Sequence, residues 1–326
     1  MPYLITLISL LIAETLYILL ARHFAIGQIV EPRSSHDRFT LTGGGVIFPL
    51  AMLLFALLFP ESLSRLTILM LGGMCVLATV SMIDDIKPLS PVIRLIVQII
   101  VISLVYSNWC APETATIYIL LLLFGVGFIN AFNFLDGING IMSAYALVTF
   151  GAITYAYRLI PLAPDDYLYQ IIILMSIAVI VFSIFNLRRR AVIFSGDVGS
   201  ITLGYIILFL MWELISRTGN AVYLVFLIVC AVETVLTILG RLFEGANIFI
   251  PHRRFLFQML VNEGGYPNYV VALSYAGVQL AIDIVFFIIP VYMQWVYAIT
   301  VTTVLVTAYF LMKSRLIMHR NSHPES

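Results

Sequence analysis

Five short stretches of this chain gather residue types that can handle a charged ligand. Asp84 and Asp85 stand side by side in SMIDDIKPLS. Adjacent carboxylates raise each other's cost of ionisation, and a cation or a proton relieves them. They suit a Mg²⁺ site or a base beside one, or more simply a polar helix end with one Asp capping the next helix. Asn130, Asn133 and Asp136 recur three apart in NAFNFLDGINGI. On a helix that spacing brings amide and carboxylate oxygens near one face, and Gly137 and Gly140 allow a tight turn beside them. A metal with a polar ligand fits such a set, as does a hydrogen-bond cluster between membrane helices. Asp197 lies in FSGDVGS, just before an apolar run. Glycines, serine and a carboxylate at a helix start suit a phosphate with Mg²⁺, with simple N-capping as the rival. His252, Arg253 and Arg254 form a basic knot in PHRRFLFQML. Arginines take phosphate oxygens bidentately, although topogenic charge accounts for the arginines without the histidine. Ser34, Ser35, His36 and the glycine run 43–45 add a flexible, anion-tolerant segment.

The elements that position these groups must be membrane helices. Of 326 residues, 62% are hydrophobic and only 10% charged, with a mean hydropathy of +1.06. Soluble domains carry roughly 25% charged residues, so lipid is the main solvent of this chain. The net charge of zero gives no attraction to nucleic acid. The 3 cysteines, Cys75, Cys110 and Cys230, have no spacing that suggests a disulfide framework or a metal knuckle. The first apolar run lacks a basic leader and a small-residue cleavage site, and reads as a retained span.

Eleven apolar segments are expected to be helical spans: about 3–20, 43–60, 66–83, 92–107, 115–130, 139–157, 168–186, 199–215, 221–239, 269–290 and 295–312. Their length and continuity favour helices over barrel strands. The fold class is therefore an all-α polytopic bundle, a single domain over 1–326 with no internal repeat. Placing loop 21–42 in the cytoplasm leaves only Arg65, Arg158 and Arg217, of 17 Lys and Arg, on the opposite side. The positive-inside rule then puts the N-terminus out and the C-terminus in. Five cytoplasmic loops (21–42, 84–91, 131–138, 187–198 and 240–268) hold all the motifs above, and the outside loops are short and bland. Glu14 and Asp283 lie within spans and take no role in this pattern.

Carboxylates and amides that can hold Mg²⁺, basic groups that can hold phosphates and a bilayer that can deliver a lipid together fit phosphoryl transfer, which depends on positioning and charge stabilisation. In their order along nearly the whole chain, the motifs RSSHDRFTLTGGG, IDDIKPLSPVIRLIVQ, NAFNFLDGINGI, FSGDVGS and PHRRFLFQML resemble those of polyprenyl-phosphate N-acetylhexosamine-1-phosphate transferases, membrane enzymes of glycosyltransferase family 4. The resemblance implies transfer of a sugar-1-phosphate from a UDP-sugar to undecaprenyl phosphate with release of UMP, an early membrane step in making an envelope polysaccharide. It implies Mg²⁺, replaceable by Mn²⁺, a location in the inner (plasma) membrane with a cytoplasmic active site, and leaves a homodimer open. Carried over residue by residue, it makes Asp84 and Asp85 catalytic and puts Asp197 and Asn133 at the metal. Asn130, Asn133, Asp136, His252, Arg253 and Arg254 would face the UDP-sugar, and Arg94, His36 and Thr40 the lipid phosphate.

Three positions depart from the family pattern. Phe39-Thr40-Leu41 replaces Pro-Thr-Pro, Glu233 stands where an Asp is usual, and Phe255 replaces a second histidine, removing a polar contact next to the expected donor site. The last loop also lacks the histidine run typical of the muramoyl-pentapeptide branch, which favours an N-acetylglucosamine-type donor. Two other classes compete. A secondary transporter would place its polar groups near the midplane, with repeat symmetry, and the one-sided motifs argue against it. A non-catalytic carrier-binding relative draws support from Phe255.

Overall fold

The computed structural model describes residues 1–28, 39–109, 115–160, 166–247 and 253–322. Twelve helices account for almost all of them: α1 (Pro2–His23), α2 (Ile47–Leu58), α3 (Arg65–Ile86), α4 (Pro91–Trp109), α5 (Ala115–Leu135), α6 (Ile141–Arg158), α7 (Tyr167–Asn186), α8 (Gly196–Thr218), α9 (Ile228–Phe243), α10 (Leu256–Asn262), α11 (Asn268–Ile288) and α12 (Gln294–Ser322). The only strands among these residues, β1 (Gly27–Gln28) and β2 (Thr40–Leu41), form a short antiparallel ribbon. The protein is an all-α, multi-pass membrane protein. Each of the eleven apolar runs contains one helix, and eight helical segments are long and apolar enough to cross a membrane. Helices α2 and α4 are shorter, and serine, threonine and tyrosine dilute the apolar character of α6.

Burial sorts the helices into an axis and a periphery. In α8, 89% of the residues in its apolar stretch are buried, against 6% in α12. Helix α8 packs on α3, α5 and α6. Helix α1 shows the peripheral pattern. Leu4, Ile8, Ile12, Leu16 and Leu20 are exposed at four-residue spacing, and Thr6, Leu10, Glu14, Ile18 and Ala21 are buried on the other face. An exposed apolar stripe of this kind is stable only against lipid.

The bundle has a polar cluster at each end. At one end Arg217 on α8 bonds Glu213 Oε2 and Asp166 Oδ2, each at 3.0 Å, and Tyr167 donates to Glu213 at 2.8 Å. Asp166 also caps α7 through the Leu168 N–H at 3.0 Å. These contacts clamp the start of α7 to the end of α8. The other end carries the motif residues, and α2 enters it through a glycine run. Gly43 has φ +85, and a Cβ on Gly45 would lie 2.1 Å from the Gly199 Cα. The start of α2 therefore touches the first turn of α8 backbone to backbone, a closeness only glycine permits. Gly45→Ala is expected to push these two segments apart. It should lower the thermal midpoint by several degrees, with a cost of roughly 1–3 kcal/mol for overpacking. A midpoint equal to that of the wild type in a detergent melt would contradict this close approach.

Candidate functional site

Asp84 and Asp85 end α3, and their carboxylates do different work. Asp84 Oδ1 accepts the Leu89 N–H at 2.5 Å, closing the turn toward α4. Ser90 then caps α4 through the Val92 N–H at 3.3 Å. One turn into α4, Arg94 Nη1 reaches back to Asp84 Oδ2 at 2.7 Å and across to Asp197 Oδ2 at 3.1 Å. Asp85 faces the start of α8. Its Oδ1 accepts the Asp197 N–H at 2.8 Å and its Oδ2 the Val198 N–H at 3.1 Å. The first N–H groups of a helix have no partner within it, so a carboxylate there both satisfies them and complements the helix dipole. Gly196 has φ +71, and a Cβ on it would meet Asp85 Oδ2 at 2.4 Å. The glycine before Asp197 is what lets Asp85 approach.

Helix α5 supplies the amides. It continues through Leu135, so Asn130 and Asn133 lie on it and Asp136 in the turn that follows. Asn133 Oδ1 accepts from Ser200 Oγ at 2.8 Å. Asn130 donates to Gln98 Oε1 at 2.6 Å and to the Val126 carbonyl at 2.8 Å. Asp136 accepts a short hydrogen bond from Ser195 Oγ. Arg94, Gln98, Asn130, Asn133 and Asp197 line one narrow crevice between α3, α4, α5 and α8. The segment from Thr42 to Gly45 packs against this end. Gly44 and Gly45 donate to the Phe194 and Ser195 carbonyls, each at 2.9 Å, and Tyr17 on α1 holds the Thr42 carbonyl at 3.0 Å.

Six of the residues singled out in the sequence therefore converge through direct contacts or a shared crevice: Asp84, Asp85, Arg94, Asn130, Asn133 and Asp197. Asp136 joins them through Ser195. Thr40 lies in β2, paired with Gln28. Arg254 is an ion-pair partner of Glu244. The Arg253 Nε and Nη2 are buried with no hydrogen-bond partner among the described residues. Ser34, Ser35, His36 and His252 lie outside the described residues. Phe255 is 4% exposed, stacks on Phe257 at 5.4 Å and lies tilted against Phe134 at 5.8 Å, so an aromatic packing position replaces the expected polar one. The sequence alone points to no role for Tyr17, and to no individual contact for Gln98, Ser195 or Ser200 although these lie within the quoted motifs. Gln98 was detectable as the residue one helical turn after Arg94, and the two serines as the flanks of Gly-Asp-Val-Gly.

Burial raises the Asp136 carboxyl to about 7, helped by the charges of Asp197 and Asp85 and opposed by the Ser195 hydroxyl. An unfolded Asp titrates near ~4. The protonated form therefore contributes stability fully below that value and loses it as pH rises through about 7. In metal-free protein, Asp136→Asn should raise the thermal midpoint over the wild type more at about pH 8 than at about pH 5. Equal shifts at both pH values would contradict the raised carboxyl.

The family model described as Glycosyl transferase family 4 matches residues 67–215, the stretch from α3 to the end of α8. The phospho-N-acetylmuramoyl-pentapeptide-transferase of Thermotoga neapolitana is 33% identical over 222 residues, 61% of this chain and 69% of the relative. That of Streptococcus agalactiae is 29% identical over 197 residues, 51% of this chain and 56% of the relative. The undecaprenyl-phosphate alpha-N-acetylglucosaminyl 1-phosphate transferase of Salmonella typhi is 26% identical over 286 residues, 79% of this chain and 76% of the relative.

Proposed function

The chain belongs to glycosyl transferase family 4, and from that premise we propose that it transfers an N-acetylhexosamine-1-phosphate from a UDP-sugar to undecaprenyl phosphate, releasing UMP. The observation that carries this reading is the convergence of Asp84, Arg94 and Asp197 through one guanidinium, beside the Asn130–Asn133 crevice. A cation next to paired carboxylates and amide oxygens, at the end of a membrane bundle, suits two phosphates that meet there, one water-borne and one on a lipid.

Asp197 and Asn133 fit Mg²⁺. Both are hard oxygen donors lining the same crevice, and Mg²⁺ is usually held by one or two carboxylates together with phosphate oxygens and water. Among the described residues no group of three or more His, Cys, Asp or Glu is arranged to hold a metal alone, in keeping with an ion that completes its shell on a diphosphate. When bound, Mg²⁺ (or Mn²⁺) neutralises charge on the diphosphate and on the departing UMP.

The chain's own residues then divide the work. Arg94 receives the lipid phosphate, with which its guanidinium can pair bidentately. Asp84, bonded to Arg94, takes a proton from that phosphate if it carries one. A phosphate oxygen attacks the sugar-bound phosphorus, the bond to the UMP phosphate oxygen breaks, and UMP leaves. Asp85 acts through its hold on the Asp197 backbone. Asn130, Asp136 and Arg253 serve the nucleotide side. The single histidine of PHRRFLFQ favours N-acetylglucosamine over a muramoyl-pentapeptide. The positive-inside charge pattern favours a site facing the cytoplasm, at an early membrane step of an envelope polysaccharide.

Purified protein given Mg²⁺, undecaprenyl phosphate and labelled UDP-N-acetylglucosamine is expected to release UMP. Asp197→Ala and Asp84→Asn should each lower turnover roughly 100-fold or more, as expected when a group stabilising transition-state charge is lost. Full turnover in Asp84→Asn would remove Asp84 from the chemistry. No exchange with any UDP-N-acetylsugar would overturn the reading.

A further inference from the structure

The last loop contains a helix whose start is held by another part of the chain. Helix α10 begins at Leu256, and its N-cap, Phe255, offers no side-chain acceptor. The acceptor is Glu233, in the middle of α9. Its Oε1 takes the Leu256 N–H at 2.5 Å, and its Oε2 takes the Tyr275 hydroxyl of α11 at 2.8 Å. Glu233 is 3% exposed. It also borders a cavity of about 360 Å³ between α9, α10, α11 and α12, so hydrogen bonds rather than tight packing hold its carboxylate.

What Glu233 holds leads to the site. Phe257 and Gln258, in the first turn of α10, lie against Gly137, next to Asp136. Phe255 and Phe257 stack on each other, Phe134 lies tilted against Phe255, and Tyr275 meets Phe257 edge-to-face. Arg253, with its partnerless buried nitrogens, immediately precedes this segment. The carboxylate thus ties two spans, α9 and α11, and the last loop to the turn that carries Asp136. Arm length matters here. The Glu side chain is one methylene longer than an Asp and reaches the α10 backbone.

We infer that Glu233 is a positioning residue. It caps α10 from α9, and so fixes Arg253 and the Phe257–Gln258 pair against the donor side of the site. The assignment of that side rests on the reading proposed above, but the capping itself does not, and two readouts separate them.

The first readout is hydrogen exchange of the 256–259 amides in the full-length protein. Glu233→Ala and Glu233→Asp should speed exchange roughly tenfold or more, the loss expected when a helix cap goes. Glu233→Gln keeps an acceptor at the right reach and should fall in between. Tyr275→Phe leaves the Leu256 bond intact and should loosen the amides only slightly, which keeps the test open if Glu233→Ala does not fold. The second readout is steady-state kinetics. Glu233→Ala should raise KM for the UDP-sugar roughly tenfold with less change in kcat and none in KM for the lipid, and Glu233→Gln should restore much of it. Unchanged exchange in Glu233→Ala would overturn the capping. Changed exchange with an unchanged donor KM would overturn the link to the donor side. A Glu233→Gln as damaged in kcat as Glu233→Ala would mean that the carboxylate acts directly and not by position.

Discussion

Helix α8 begins inside a membrane bundle, and the first N–H groups of a helix need an acceptor wherever they lie. Water is the usual supplier at a surface. Here Asp85 from the end of α3 takes the N–H groups of Asp197 and Val198. Much else at this end depends on that contact. It fixes Asp197 relative to Asp84, since Asp84 and Asp85 are chain neighbours. It requires glycine at 196, where a Cβ would collide with Asp85. It also seats the first turn of α8 where Gly199 can meet Gly45 and Ser200 can reach Asn133.

Around this anchor the polar groups offset one another. Three aspartates and one arginine meet within a few ångströms, and Arg94 bonds two of the three carboxylates. The excess of acid over base suits a divalent cation, and the guanidinium suits a phosphate. The opposite end of α8 uses similar side-chain types differently. Arg217, Asp166 and Glu213 are paired among themselves and clamp helices. Both clusters hold more acid than base; the one at the start of α8 borders a crevice that can take a ligand. Glu233 applies the logic of Asp85 a second time, with a carboxylate on one span satisfying the start of a helix that begins elsewhere.

The helices were legible because lipid demands long apolar runs, and each expected run contains a helix. The edges were less so. The run expected from 43 opens with a 3₁₀ segment over Gly44–Val46, preceded by Gly43 in a left-handed conformation. The run expected from 221 opens with a 3₁₀ segment over Ala221–Leu227. Helix α10 was hidden inside a loop, since seven residues show little periodicity and its cap lies 23 positions earlier in the chain. Asp84, Asp85, Asn133 and Asp197 stood out because charged and amide side chains are rare in such a sequence. Ser195, Ser200 and Gln98 did not, because small polar groups are common near helix ends and only the fold shows what they touch. Phe255 looked like a missing polar contact in sequence and is a packed aromatic in the structure.

The central claim is that Asp197 and Asn133, held in place by Asp85 and Ser200, form the protein's share of a cation–diphosphate site. Anomalous diffraction from crystals grown with Mn²⁺ and a UDP-N-acetylsugar tests it most directly. A manganese peak in coordination range of Asp197 and Asn133, with the diphosphate on its open side, is the expected result. A peak elsewhere in the molecule, or a diphosphate bound away from α5 and α8, would contradict it.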